Sequence, residues 1–256
     1  MSRLQKAISR IQRREPARGI GFGARSRGEP RAVLLGVLAE KGAGAKAALE
    51  AGADIAIIRA ASGAAAVTEA KAASGGNNDT ALGVWLDELD DATSSALAEA
   101  GCDFAVGSLD GTAATAVDTE RMGQVLVAES AMDDTTLRAL ANLGLEALLV
   151  EHGKGAMSLA DQLQLVRLAS FASTPLLVTV ASDAPVAELR VLRDSGVACV
   201  LLAAGSSIAE INALSDRLRA VPARKSRRDG AEMALVPSVA AAGAHHEEEE
   251  DDDGEE

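Results

Sequence analysis

Eight short apolar runs recur through the middle of the chain: VLLGVLA (33–39), DIAIIRA (54–60), ALGVWLD (81–87), DFAVGS (103–108), QVLVAES (124–130), EALLVEH (146–152), PLLVTVAS (175–182) and ACVLLAA (198–204). Their starts advance by 21, 27, 22, 21, 22, 29 and 23 residues. Most are separated by Ala/Leu/Glu-rich segments in which apolar residues fall at helical spacing. Short apolar strands alternating with such segments predict β-α units and a parallel sheet with helices on its outer face.

A second rhythm lies over the first. Each even-numbered run is preceded by a helix end that closes on glycine: Gly52, Gly101, Gly144 and Gly196. Glycine takes the left-handed conformation there at little cost and turns the chain into the next strand. The spacings of 49, 43 and 52 residues describe a fourfold repeat of paired β-α units. Eight strands in this pattern predict a compact α/β fold, a (β/α)8 barrel of the TIM type, rather than an open doubly wound sheet. Residues 31–221 number 191, against a usual lower bound of about 200 for this architecture. The segment GTAATAVDTERMG also gives only a short fourth helix, so an incomplete or irregular barrel is the alternative.

The flanks differ from this body. Residues 1–30 read as a basic helical arm followed by a Gly/Arg-rich linker, and 222–256 as a basic linker with a disordered acidic tail. In the first arm, Leu4, Ala7, Ile8 and Ile11 form one apolar stripe on a basic helix, suited to packing on the barrel's bottom or on a partner. Gly19, Gly21 and Gly23 follow no strand and precede no G-K-[ST], which excludes a phosphate loop of the nucleotide type. The terminal run HHEEEEDDDGEE repels itself and cannot collapse into a core.

Composition narrows the functional classes. With four aromatic residues and no tyrosine, the core must be built from Ala, Val, Leu and Ile. Cys102 and Cys199 have no metal or redox spacing and read as small core residues. Residues 32–221 carry twelve basic and twenty-five acidic side chains, a net −13. An acidic body argues against binding nucleic acid or an anionic membrane. No apolar run is long enough to span a bilayer, and the start lacks a signal-peptide core. The expectation is a soluble cytoplasmic protein, with an organelle presequence as the alternative that the Arg-rich start leaves open.

Active sites of such barrels lie at the C-terminal ends of the strands. Here those ends carry Lys41, Arg59, Glu129, Glu151, His152 and Lys154, while the strand interiors are nearly free of ionisable residues. Glu129 and Glu151 end neighbouring strands at equivalent points. Together they could act as acid and base, or share a divalent cation such as Mg2+. Lys41, Arg59 and Lys154 would bind the anionic group of a substrate, Arg59 through its bidentate fork. His152 has the titration range of a general acid or base. It adjoins Glu151, however, and neighbours in a strand face opposite ways, so a place outside the barrel is equally open to it.

The segment from PLLVTVASDAP to AAGSSIAEI resembles the last two units of phosphate-binding (β/α)8 barrels. That resemblance implies a phosphate held at Gly205, Ser206 and Ser207 on backbone amides at a helix start. ASDAP departs from the glycine-rich first half of the pattern, and Asp183 would repel a phosphate. The carboxylate pair also resembles that of metal-dependent pyruvate-type aldolase barrels, without their full signature. Two functions follow from these features. One is an enzyme of the lyase or isomerase type acting on a small anionic metabolite. The other is a non-catalytic barrel that serves as a structural or assembly subunit, contacting a protein partner, copies of itself or a larger complex, through its oppositely charged termini.

Overall fold

Each apolar run forms one strand of a single parallel sheet. The strands are β1 (Leu34–Ala39), β2 (Ile55–Arg59), β3 (Ala81–Trp85), β4 (Phe104–Gly107), β5 (Gly123–Val127), β6 (Ala147–Val150), β7 (Leu176–Val180) and β8 (Val197–Leu202). In this computed structural model the residues described are 2–12, 31–74, 80–116, 118, 120–129, 131–153 and 155–223. The strands pair in chain order and β8 returns to pair with β1, so the barrel is closed. The irregularity anticipated in the fourth unit is real but local. A 3-10 turn, Ala114–Ala116, stands where a crossover helix would be.

Seven helices follow the remaining strands or connect them: α2 (Gly42–Glu50), α3 (Gly63–Ala73), α4 (Asp91–Glu99), α5 (Asp134–Leu140), α6 (Leu159–Ala172), α7 (Val186–Asp194) and α8 (Ile208–Arg219), all preceded in the chain by α1 (Arg3–Gln12). Gly52, Gly101, Gly144 and Gly196 all have positive φ, from 67° to 99°. The fourfold rhythm therefore has its expected cause, a left-handed turn before each even strand. Two of the turns carry one further device. The carboxylates of Asp54 and Asp103, two residues past their glycines, accept the backbone N–H of Leu35 and Leu82 in the preceding strand.

Alternation along the strands divides the core. One set of side chains, including Ile55, Ile57, Trp85, Phe104, Val125 and Leu149, fills the barrel interior. The other set faces the helices. Gly83 lies among the interior positions because a methyl group there would overlap the Phe104 ring. Both cysteines are buried in the core, and burial pushes the Cys102 thiol up to about 12.

Helix α1 closes the bottom of the barrel. Leu4, Ala7 and Ile8 are buried in the interior cluster, which decides between the two places open to the apolar stripe. Ser2 Oγ donates to Glu146 at 2.5 Å, and Arg3 pairs with Asp103 at 3.5 Å. A polar cavity of about 320 Å3 lies beside this contact, lined in part by Ser2, Arg3, Lys6 and Asp103. The chain divides into a unit Met1–Arg224, holding α1 and the barrel, and a unit Lys225–Glu256. The expectations for the Gly/Arg-rich linker, the basic linker and the acidic tail lie outside the described residues. No helix among the described residues is long and apolar enough to cross a membrane.

Candidate functional site

The site is built from the last inward position of each strand. Ile55 and Ile57 of β2 point into the barrel, as do Val125 and Val127 of β5 and Ala147 and Leu149 of β6. Arg59 is the next inward position of β2, and Glu151 meets it at the mouth. The β5–β6 register pairs Val127 with Leu149. Glu129 and Glu151 each follow that pair by two residues, beyond the paired stretch.

Arg59 is the centre of this group. It stands opposite Trp85 in the β2–β3 register, and its guanidinium lies 4.5 Å from the centre of the Trp85 ring. From there it reaches Glu151, with Nη1 to Oε1 at 3.8 Å. Since β2 and β6 lie on opposite sides of an eight-stranded barrel, Arg59 bridges the mouth. Trp85 is 4% exposed and forms the floor. The Arg59 and Glu151 side chains are each 55% exposed above it, so both charged groups can be reached from solvent.

His152 belongs to a different environment. Its backbone N–H donates to Thr179 Oγ1 at 2.7 Å, and the same hydroxyl donates back to its carbonyl at 3.2 Å. This pair ties the end of β6 to β7. Its Nε2 is buried and has no hydrogen-bond partner among the described residues. The imidazole acts on Asp161 at the start of α6, whose carboxyl is held below the usual range by Ser158 first and by His152 in addition. The contacts of His152 are thus with β7 and with the start of α6, and not with Arg59 or Glu151.

Lys41 is exposed at the start of α2 and makes no side-chain cap there. Lys154 lies outside the described residues. At the third predicted group, Gly205 has the left-handed φ of 85°, and Ser206 folds back on Ala203 through both its N–H and its hydroxyl. The Ser207 N–H donates to Glu210 Oε2 at 2.8 Å, its hydroxyl donates to the same oxygen at 2.9 Å, and it accepts from the Glu210 N–H at 3.3 Å. The other oxygen of Glu210 accepts from Ser182 at 2.8 Å. Arg217 fastens the same β7 loop by donating to the carbonyls of Ser182 and Ala184. Glu210 thus joins the turns after β7 and β8 from within.

The same arrangement recurs around the rim. Glu69 accepts from the Gly42 N–H that opens α2, at 2.6 Å. Asp90 caps α4, Asp133 caps α5, and Asp161 completes a capping box at α6. Among the described residues no three His, Cys, Asp or Glu side chains gather as a metal cluster. The carboxyl groups of Glu129 and Glu151 are of the donor type that Mg2+ takes, one or two carboxylates with several waters.

Trp85, Thr179 and Glu210 went unnoticed in the sequence. Trp85 could have been found as the last inward residue of its strand, and Glu210 from the S-x-x-E spacing of a capping box.

No family model matches the chain, and no curated protein does. Solved structures do. Tryptophan synthase from M. tuberculosis is similar at 17% identity and a TM-score of 0.57, over 86% of this chain and 95% of that one. An HpcH/HpaI aldolase/citrate lyase family protein from Burkholderia cenocepacia is similar at 14% identity and a TM-score of 0.53, over 74% and 94%. Yersinia pestis DHPS, solved with a pterine-sulfa conjugate, is similar at 17% identity and a TM-score of 0.51, over 75% and 92%. The likeness is one of fold. This chain has the fold of a closed (β/α)8 barrel, and a shared fold does not fix a chemistry.

Proposed function

We propose that the barrel mouth binds a small anionic metabolite and acts on it as a lyase or isomerase. The observation that carries this reading is Arg59, which rests on Trp85 and meets Glu151 across the mouth with both charged groups open to solvent. A guanidinium fixed over an aromatic face presents its donor fork in one orientation, which suits a bidentate anion. An incoming anion takes the place of Glu151 at Arg59. The freed carboxylate then stands beside the bound molecule.

Two carboxylates beside an anchored anion can take a proton from a carbon next to a carbonyl and return it elsewhere. Returned to a neighbouring atom, the proton completes an isomerisation; given to a group that leaves from the β-carbon as the double bond forms, it completes an elimination of the lyase type. Glu129 and Glu151 would also hold Mg2+, which supplies Lewis-acid stabilisation of the developing negative charge when bound. Lys41 and Lys154 serve as further cations at the rim, and His152 positions the end of β6 through Thr179. The alternative, an assembly subunit working through its charged termini, depends on residues outside the described ones.

Calorimetric titration of acetate into the full chain, with and without Mg2+, tests this reading. Binding that strengthens with Mg2+ in the wild type and loses that gain in Glu129→Gln is the expected result. Absence of heat in the wild type under both conditions would remove the reading.

A further inference from the structure

The ligand's anionic group can be narrowed from the state of the rim, given the reading of the mouth just proposed. A barrel of this kind offers anions two sorts of donor at its C-terminal end: cationic side chains, and the free N–H groups at helix starts. In this chain the second sort is largely taken. Of the seven helices α2 to α8, five have a carboxylate of the chain itself bonded to backbone N–H groups at their start, those of Glu69, Asp90, Asp133, Asp161 and Glu210. The turn after β8 is among them: the Ser207 N–H and hydroxyl donate to Glu210 and the Ser206 N–H to Ala203, so two of the three residues that resemble a phosphate cradle are already engaged.

We infer that the rim is closed to phosphate by these internal carboxylates, with Glu210 as the specificity-determining residue, and that the ligand is a carboxylate of low charge held by Arg59. The reason is electrostatic as well as geometric. A phosphate at Ser207 would have to displace Glu210 from two donors and break its bond to Ser182. Asp183 follows Ser182 in the β7 loop, and a dianion is repelled more strongly than a monoanion by a body of this acidity. The Glu210 carboxyl is held below the ordinary range, chiefly by the Ser207 backbone N–H, so it stays ionised at neutral pH. At the mouth the balance is different. There the Arg59 guanidinium is partnered by one carboxylate, Glu151, so a monoanion that takes the place of Glu151 carries the same charge at Arg59.

Amide NMR on the full chain tests this, with sodium phosphate and sodium acetate as probes at equal ionic strength. In the wild type, acetate is expected to shift the Trp85 indole N–H signal, while phosphate leaves the Ser207 and Glu210 amides unmoved. In Glu210→Ala, phosphate is expected to shift the Ser207 amide by saturable binding. Glu69→Ala repeats the test independently at the Gly42 amide, should Glu210→Ala fail to fold. Phosphate shifting Ser207 in the wild type overturns the inference, as do freed cradles that stay blind to phosphate. In either case an acetate response at Trp85 leaves the mouth reading standing. Loss of that response alone would strike the mouth reading instead.

Discussion

Arg59 is held more by Trp85 than by Glu151. A guanidinium over an indole contributes on the order of 0.5–2 kcal/mol, while an exposed ion pair contributes about 0–1 kcal/mol. At 3.8 Å, with both partners 55% exposed, the Arg59–Glu151 pair belongs at the bottom of that range. Glu151→Gln is therefore expected to leave stability within about 0.5 kcal/mol of wild type, as measured by denaturant unfolding, while weakening any Mg2+-dependent step. A loss of several kcal/mol would mean that Glu151 is structural. Arg59, Glu129 and Glu151 were legible in the sequence because charged residues at strand ends stand out against apolar interiors. Trp85 was legible as the last inward residue of its strand, but its place beside Arg59 depends on the β2–β3 register, which no spacing reveals. Ser207 was legible as a turn residue but mistaken for an open donor. Its partner, three positions on, turns the same pattern into a closed cap.

At the scale of elements, α1 shows how an amphipathic stripe finds its place. Its apolar face could have met a second molecule, and its hydrophobic pattern is the same in either case. The polar contacts decide, since Ser2 and Arg3 meet Glu146 and Asp103 at the starts of β6 and β4. These two carboxyls are raised above their ordinary values, in both cases by burial first. A carboxyl raised in the folded state binds its proton more tightly there than in the unfolded chain. Its contribution to stability is complete below the ordinary value, 3.8 for Asp103, and is lost as pH rises through the folded value. Asp103→Asn removes that dependence. The melting temperature of the wild type, taken relative to this variant, should therefore fall as pH rises from about 4 through the raised folded value. A difference that is flat or rises over that window would contradict the assignment. The caps at Asp90, Asp133 and Glu210 have the opposite sign, which is why the comparison with the variant is needed.

At the scale of the molecule, the barrel could be read from eight runs and four glycines because strand number, alternation and left-handed turns are local properties of the chain. Closure between β8 and β1 is not local, yet eight right-handed β-α units have few other ways to bury both faces of every strand. The mouth is a different case. The proposed anion site depends on Arg59, Trp85 and Glu151 from β2, β3 and the end of β6 arriving at one place, and the sequence supplies the residues without their meeting. The central claim is that Arg59 is the anion anchor of that mouth. The chain's single tryptophan, packed under Arg59, offers the most direct measurement: Trp85 fluorescence during an acetate titration of wild type and Arg59→Gln. The account predicts a saturable change in the wild type and at least a tenfold weaker response in the variant, about 1.4 kcal/mol or more of lost binding. Equal responses in the two proteins would contradict it.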